Sequence, residues 1–139
     1  MSYDAGISYI RNVLEATRTL QKNPDDLDAR GIIMLGASLS TSSRIGIGKE
    51  EPFAYDIYEL EFLPEKLFGS TYRRSLTSIF PRFLAAMGRH HVAEVEKYCR
   101  DAFGFGSSIE ESSRKLIELF SGFGAEMYFD GKITRDAQL

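Results

Sequence analysis

Residues 55 to 81 read YDIYELEFLPEKLFGSTYRRSLTSIFP, and this stretch decides the fold class because its apolar residues recur at helical spacing. Tyr58 and Phe62 are four residues apart and therefore share one face of a helix. Pro52 can occupy the first position of that helix, and the pair Phe68-Gly69 is expected to end it. The first half of the stretch thus predicts a helix followed by a turn.

The second half of the same stretch predicts another helix. Ser70 or Thr71 can cap its start, and Pro81 removes a backbone donor and should kink it. Its apolar residues recur every three or four positions. They are Tyr72, Leu76, Ile79, Phe80, Phe83, Leu84 and Met87.

The rest of the sequence predicts further helices by the same spacing. Their expected ranges are residues 4–21, 24–42, 92–102 and 108–122. Asn23 and Pro24 suit the start of the second of these, and Ser108 with Glu111 forms a capping box for the last. The fold class is therefore expected to be all-α, a bundle of about six helices.

Two segments carry more specific predictions. The run from Ile32 to Leu39 has little polar relief, which is typical of a helix surrounded by protein, and its small residues allow neighbouring helices to approach closely. The residues 125–129 have strand-like side chains before the turn signal Asp130-Gly131, so a short hairpin is expected there.

Length and composition favour one domain that spans residues 1–139. The formal net charge of −3 is spread over the chain, and this excludes the basic face that nucleic acid needs. The single cysteine cannot form an internal disulfide, and no leader sequence is evident, so the cytoplasm is the expected compartment. No apolar run approaches the roughly twenty residues of a membrane span.

The stretch 55–81 also resembles the metal-binding segment of the iron-containing alcohol dehydrogenase and dehydroquinate synthase-like family. That segment reads roughly His-x-x-Glu-His and then Thr-His-Gly and Pro, and it matches here on Glu61, Thr71 and Pro81. The segment Asn-Pro-Asp-Asp-Leu-Asp-Ala-Arg at residues 23–30 also matches the family's sequence. The resemblance covers residues 4 to 130 and implies the helical domain of that family, without its N-terminal nucleotide-binding domain.

The resemblance implies that the metal-binding residues are lost. The family's histidine positions fall on Tyr58, Phe62 and Tyr72, and neither a phenol at neutral pH nor a phenyl ring replaces imidazole as a ligand. Arg73 and Arg74 add two positive charges beside the former cation site. We therefore expect no catalytic residue, no bound metal and no cofactor in this chain.

The same five residues, Tyr58, Phe62, Tyr72, Arg73 and Arg74, support two interpretations. The aromatic rings can form an apolar core in place of the former cleft, which aromatic stripes at helical spacing usually do. Alternatively, the rings hold a small apolar or anionic ligand whose charge pairs with one of the arginines.

Other reactive side chains favour ordinary structural roles. His90 and His91 are adjacent on a predicted turn, and His90 with Glu94 lacks the third ligand of a metal site. Cys99 lies on an apolar stripe, which predicts a buried, inert thiol. The carboxylate pairs Glu50-Glu51 and Asp25-Asp26 lie beside helix starts, where acidic residues are common.

Two functions from different classes remain open. The first is a helical binding or oligomerisation module, in which a second copy or another protein covers the face that met the nucleotide domain. The second is the helical half of a split NAD(P)-dependent alcohol or aldehyde oxidoreductase, completed by a separate nucleotide-binding chain.

Overall fold

The computed structural model describes residues 3–40, 57 and 59–129. In these residues it contains six helices, which we number in chain order. They are α1 (Tyr3–Lys22), α2 (Leu27–Ser40), α3 (Phe62–Phe68), α4 (Tyr72–Gly88), α5 (Val92–Phe103) and α6 (Ile109–Gly122). The described residues contain no strand, so the predicted all-α class is confirmed.

The chain divides into two compact units. The first contains α1, α2 and residues 101–103 at the end of α5. The second contains α3, α4, the earlier part of α5, α6 and the segment that follows α6 up to residue 129. The single domain expected over residues 1–139 stays a prediction.

The turn between α1 and α2 is capped by a different residue from the predicted one. The Asp26 side chain accepts a hydrogen bond from the backbone N–H of Ala29 at 2.9 Å, so Asp26 caps α2. The prediction that Asn23 caps the helix and Pro24 begins it is wrong, because both lie in the turn before Asp26. The Arg30 guanidinium donates two hydrogen bonds to the Pro24 carbonyl at 2.8 and 2.6 Å, which holds that turn outside the helix.

In the first unit, α2 packs closely against α1 at Gly36. A Cβ atom at this position would lie 2.9 Å from Val13 Cγ2 and 3.0 Å from the Tyr9 hydroxyl, so a larger residue would displace its neighbours. The expected role of small residues in close helix approach is therefore confirmed here. The buried apolar residues described in this unit are Ile7, Ala16, Ala29 and Ala102.

The prediction that α2 is surrounded by protein is wrong. Met34 is 72% exposed and Leu35 is 59% exposed, although both belong to the apolar run. The reason is that only the face containing Ala29 and Gly36 meets α1, and the opposite face meets solvent. None of the helices in the described ranges has the length and apolar character needed to cross a bilayer.

In the second unit, the turn between α3 and α4 forms where the sequence predicts it. Gly69 ends α3 in the left-handed conformation, with φ of 65°, which costs glycine little. Thr71 precedes α4 with an extended backbone, as expected for a residue at a helix start. The predicted start at Pro52 lies outside the described residues.

Helix α4 continues through Pro81, which is buried. The Ser113 hydroxyl of α6 donates a hydrogen bond to the Pro81 carbonyl at 2.9 Å, and this bond joins α6 to the middle of α4. The predicted kink at this proline stays a prediction.

Helices α5 and α6 supply the core of the second unit. Val95, Cys99 and Ile109 form one buried cluster, and Leu116 is fully buried. The Ser108 hydroxyl accepts the backbone N–H of Glu111 at 3.4 Å, which confirms the Ser108 half of the predicted capping box. The Glu111 carboxylate forms an ion pair with Lys115 at 2.9 Å.

The residues 125–129 do not form the predicted strand. They are irregular, and the turn signal Asp130-Gly131 lies outside the described residues. Side-chain contacts with α3 and α4 replace the expected backbone ladder, since Arg74 and Phe68 both contact this segment.

Candidate functional site

The structure separates the five residues of the predicted pocket by their exposure. Tyr58 lies outside the described residues, and Arg73 is exposed. Phe62 is 53% exposed and Tyr72 is 48% exposed, so the aromatic-core interpretation is wrong for these two rings. Arg74 is the member that is partly buried, and its side chain is 34% exposed.

The exposure of the rings follows from which faces of α3 and α4 are buried. On the α3 side, Glu61 and Pro64 are buried, and Phe62 points away from them by the helical rotation of 100° per residue. Tyr72 is the first residue of α4 and lies at its exposed end. The buried positions of α4 come later in the helix and are Ser75, Ser78, Pro81 and Gly88. The pocket with Tyr58, Phe62, Tyr72, Arg73 and Arg74 as its lining stays a prediction.

Arg74 already has an anionic partner, which the chain itself supplies. Its Nε atom lies 2.7 Å from Glu126 Oε2, and its Nη2 atom donates a hydrogen bond to the Tyr128 carbonyl at 3.0 Å. The carboxylate does not lie along the Nε–H direction, so the first contact is an ion pair rather than a hydrogen bond. The guanidinium carbon also lies 4.9 Å from the centre of the Phe129 ring.

Two further aromatic contacts hold the same segment. The rings of Phe129 and Phe68 stack with their centres 5.0 Å apart and their planes 8° apart. Arg82, two turns after Arg74 on α4, places its guanidinium 5.1 Å from the centre of the Tyr128 ring. We call the surface formed by Phe68, Arg74 and Arg82 the arginine groove, and residues 126–129 fill it.

Two buried side chains make the largest favourable contributions to the docking of residues 125–129. Met127 and Phe129 are buried, and each burial stabilises the docked state by about 1.5–3 kcal/mol. Fixing the backbone costs about 1–2 kcal/mol for each residue of the segment. The partly exposed ion pair between Arg74 and Glu126 adds only about 0–1 kcal/mol. The segment is therefore held mainly by its two apolar anchors.

Burial of the Arg82 guanidinium lowers its pKa, and the interaction with Tyr128 opposes that shift. Arginine has so high an ordinary pKa that the group stays charged at neutral pH. Both arginines of the groove are thus permanent cations that contact aromatic rings.

Glu61 is a buried carboxylate that directly precedes α3 in the sequence. Within the described part of the chain its Oε2 atom accepts no hydrogen bond. Burial raises the pKa of Glu61, and the neighbouring Glu65 carboxylate raises it further. Glu61 therefore keeps its proton to a higher pH in the folded state than in the unfolded state.

We expect Glu61→Gln to raise the melting temperature at pH 7. The raised pKa means that ionised Glu61 destabilises the folded state, and this penalty disappears as the pH falls from the raised pKa to the ordinary value. The gain should therefore shrink toward pH 4 in thermal unfolding followed by circular dichroism. Glu59→Gln is the control, since Glu59 is exposed. An equal rise in melting temperature from both variants, or a rise that does not change with pH, would show that ionised Glu61 does not destabilise the folded state.

The other reactive side chains lie as follows. His90 and His91 are both exposed at the turn between α4 and α5. Cys99 is fully buried, and burial raises the pKa of its thiol while a hydrogen bond with Ser112 lowers it in part. Asp25 is exposed, and Asp26 serves as the cap of α2. Glu50 and Glu51 lie outside the described residues.

The residues present do not fit the divalent metal that the resemblance would bring. Phe62 and Tyr72 stand where the resemblance would place histidines, and neither offers a ligand nitrogen. In residues 3–40, 57 and 59–129, no group of three or more His, Cys, Asp and Glu side chains is placed to hold a metal ion.

An exposed apolar surface on the first unit is the second candidate site. We define the outer face of α2 as Leu27, Gly31, Met34, Leu35 and Ser38, which lie together by helical spacing and are all exposed. Leu27 is the most exposed of the apolar three, at 79%. From Gly31 to the end of α2 the sequence contains no charged residue.

An open cleft of about 280 Å³ also lies between α1 and α2. Its lining includes the carboxylates Glu15, Asp26 and Asp28. Asp26 and Asp28 are explained by their position at the start of α2, where acidic side chains interact favourably with the helix dipole.

Sequence reasoning missed the partners of Arg74 and the exposure of α2. The sequence predicts a strand at residues 125–129, which include Glu126, Tyr128 and Phe129. A strand-like pattern does not indicate which helix these side chains contact. The pairing of an acidic and aromatic segment with two arginines was the available signal, because such side chains attract each other.

Comparison of the chain with protein-family models, with curated proteins and with solved structures found no match. The resemblance to iron-containing alcohol dehydrogenases therefore stays a prediction based on the motif residues.

Proposed function

We propose that this chain is a non-catalytic helical association module that forms a homodimer through the outer face of α2. The main support for this proposal is that Leu27, Met34 and Leu35 are exposed on a single face of α2. An apolar face of this kind is stabilised when a partner removes it from water.

A second copy of the chain fits this face better than a charged partner would. In a two-fold symmetric dimer each face meets its own copy, so any charge in the centre would oppose a like charge. The segment from Gly31 to the end of α2 contains no charged residue, and that composition avoids such repulsion. Gly31 and Ser38 are small and exposed, which lets two α2 helices approach closely.

The proposal includes descent from the helical domain of iron-containing alcohol dehydrogenases, without their chemistry. Support comes from the motif residues Glu61, Thr71 and Pro81 and from the ring side chains at positions where the family has histidine. A single buried thiol is compatible with the cytoplasm, which we propose as the compartment.

Cysteine cross-linking at Met34 tests the proposed dimer. Met34 lies at the middle of α2, so a two-fold axis through that point brings both copies of the residue together. Cys99 is fully buried, so the thiol of Met34→Cys is the accessible one. We expect Met34→Cys to form a covalent dimer under mild oxidation at least about tenfold faster than a cysteine outside the interface.

The matched control is Val92→Cys, which places the thiol on a half-exposed position of the second unit. Covalent dimer is measured on non-reducing gels at equal protein concentration. Equal rates for the two variants would mean that the outer face of α2 is not paired with its copy.

A further inference from the structure

The arginine groove is filled by a segment that presents the chemistry of an aromatic carboxylate. Arg74 contacts the Glu126 carboxylate at 2.7 Å, and its guanidinium lies 4.9 Å from the centre of the Phe129 ring. Phe68 stacks on the Phe129 ring, with ring centres 5.0 Å apart. Arg74 and Phe68 therefore together bind a carboxylate and an aromatic ring of the chain.

A carboxylate of another molecule can replace that of Glu126 in the contact with Arg74. The Glu126 side chain is 68% exposed, and its oxygen does not lie along the Nε–H direction of Arg74. A carboxylate on a separate molecule can approach the guanidinium with two parallel hydrogen bonds, which the tethered glutamate does not make. Arg74 is 34% exposed, so its outer edge is accessible from solvent.

The ring part of the contact defines the size of a ligand. Phe129 is buried against Phe68, so a molecule that replaces it must bring a ring of similar size. Displacement of this short segment loses the burial of two apolar side chains, and it releases the order imposed on the segment's backbone.

We propose that the arginine groove is a binding site for a small aromatic carboxylate and that residues 126–129 are its internal occupant. Arg74 pairs with the ligand carboxylate, and Phe68 stacks on the ligand ring. Binding releases the segment from the groove. This site lies within the second unit, and it does not depend on dimerisation through α2.

Benzoate is the probe, and Phe129→Ala is the variant that opens the site. Titration by calorimetry should show benzoate binding at least about tenfold more tightly to Phe129→Ala than to the unmodified chain, because the internal ring no longer competes. Adding Arg74→Met to Phe129→Ala should abolish that gain. Acetate, which lacks the ring, and benzyl alcohol, which lacks the charge, should each bind at least about tenfold more weakly than benzoate.

A second measurement does not depend on the stability of Phe129→Ala. In the unmodified chain, saturating benzoate should shift the NMR signals of the Tyr128 and Phe129 rings toward their values in unstructured peptides. Phe62→Ala should bind benzoate like the unmodified chain, because Phe62 is not part of the groove. Unshifted ring signals, an unchanged affinity in Phe129→Ala, or a loss of binding in Phe62→Ala would each overturn the proposal.

Discussion

Replacing Met34 by glutamate is expected to convert the proposed dimer into monomers. Each buried methionine contributes about 1.5–3 kcal/mol, and a two-fold interface loses this contribution twice. The two glutamates would also face each other near the axis. We therefore expect the dissociation constant to rise by a factor of about 10²–10⁴, measured by sedimentation velocity over a dilution series.

Val92→Glu is the matched control for this substitution. It introduces the same side chain at a half-exposed apolar position, the first residue of α5, where an acidic group is favourable. The control should dimerise like the unmodified chain. If Met34→Glu kept the parent dissociation constant, the outer face of α2 could not be the interface.

Replacing Leu116 by alanine is expected to give the largest loss of stability. Leu116 is fully buried on α6, and large-to-small changes at such sites cost about 2–5 kcal/mol because a cavity is left. The free energy of unfolding should fall by this amount in urea denaturation followed by circular dichroism.

Leu67→Ala provides the comparison within the same unit. Leu67 is 40% exposed, so the same chemical change leaves no enclosed cavity and should cost less than about 1 kcal/mol. Similar losses in the two variants would contradict the described packing of α6.

Local signals in the sequence were enough to predict the helices. The apolar spacing along α4 to α6 reflects the faces that pack within one unit, and Ser108 and Gly69 act through neighbouring backbone groups. Such signals need no knowledge of distant residues. The start of α2 was predicted wrongly because Asn23 and Asp26 are both good caps, and the contacts of Arg30 decide between them.

The apolar run of α2 shows where sequence reasoning stops. A continuous run of Ile, Met and Leu indicates that a helix is covered, but it does not say whether the same chain or another copy covers it. In the described chain, the face with Gly36 meets α1 and the face with Met34 is exposed. The apolar composition and the exposure are compatible if association removes Met34 from water.

Arg74 illustrates a second limit. One interpretation of the sequence pairs Arg73 or Arg74 with the charge of a bound ligand, and in the structure Arg74 contacts a carboxylate of the chain itself. That carboxylate belongs to Glu126, which is 52 positions away in the sequence. A contact over such a separation leaves no periodic signal, so the groove and its occupant required the structure.

The mass of the unmodified chain in solution tests the central claim most directly. Light scattering coupled to size-exclusion chromatography at tens of micromolar should give twice the chain mass of 15.7 kDa. The mass should fall toward that of one chain on dilution or on introducing Met34→Glu. A single-chain mass at every concentration would contradict the proposal that a second copy covers the outer face of α2.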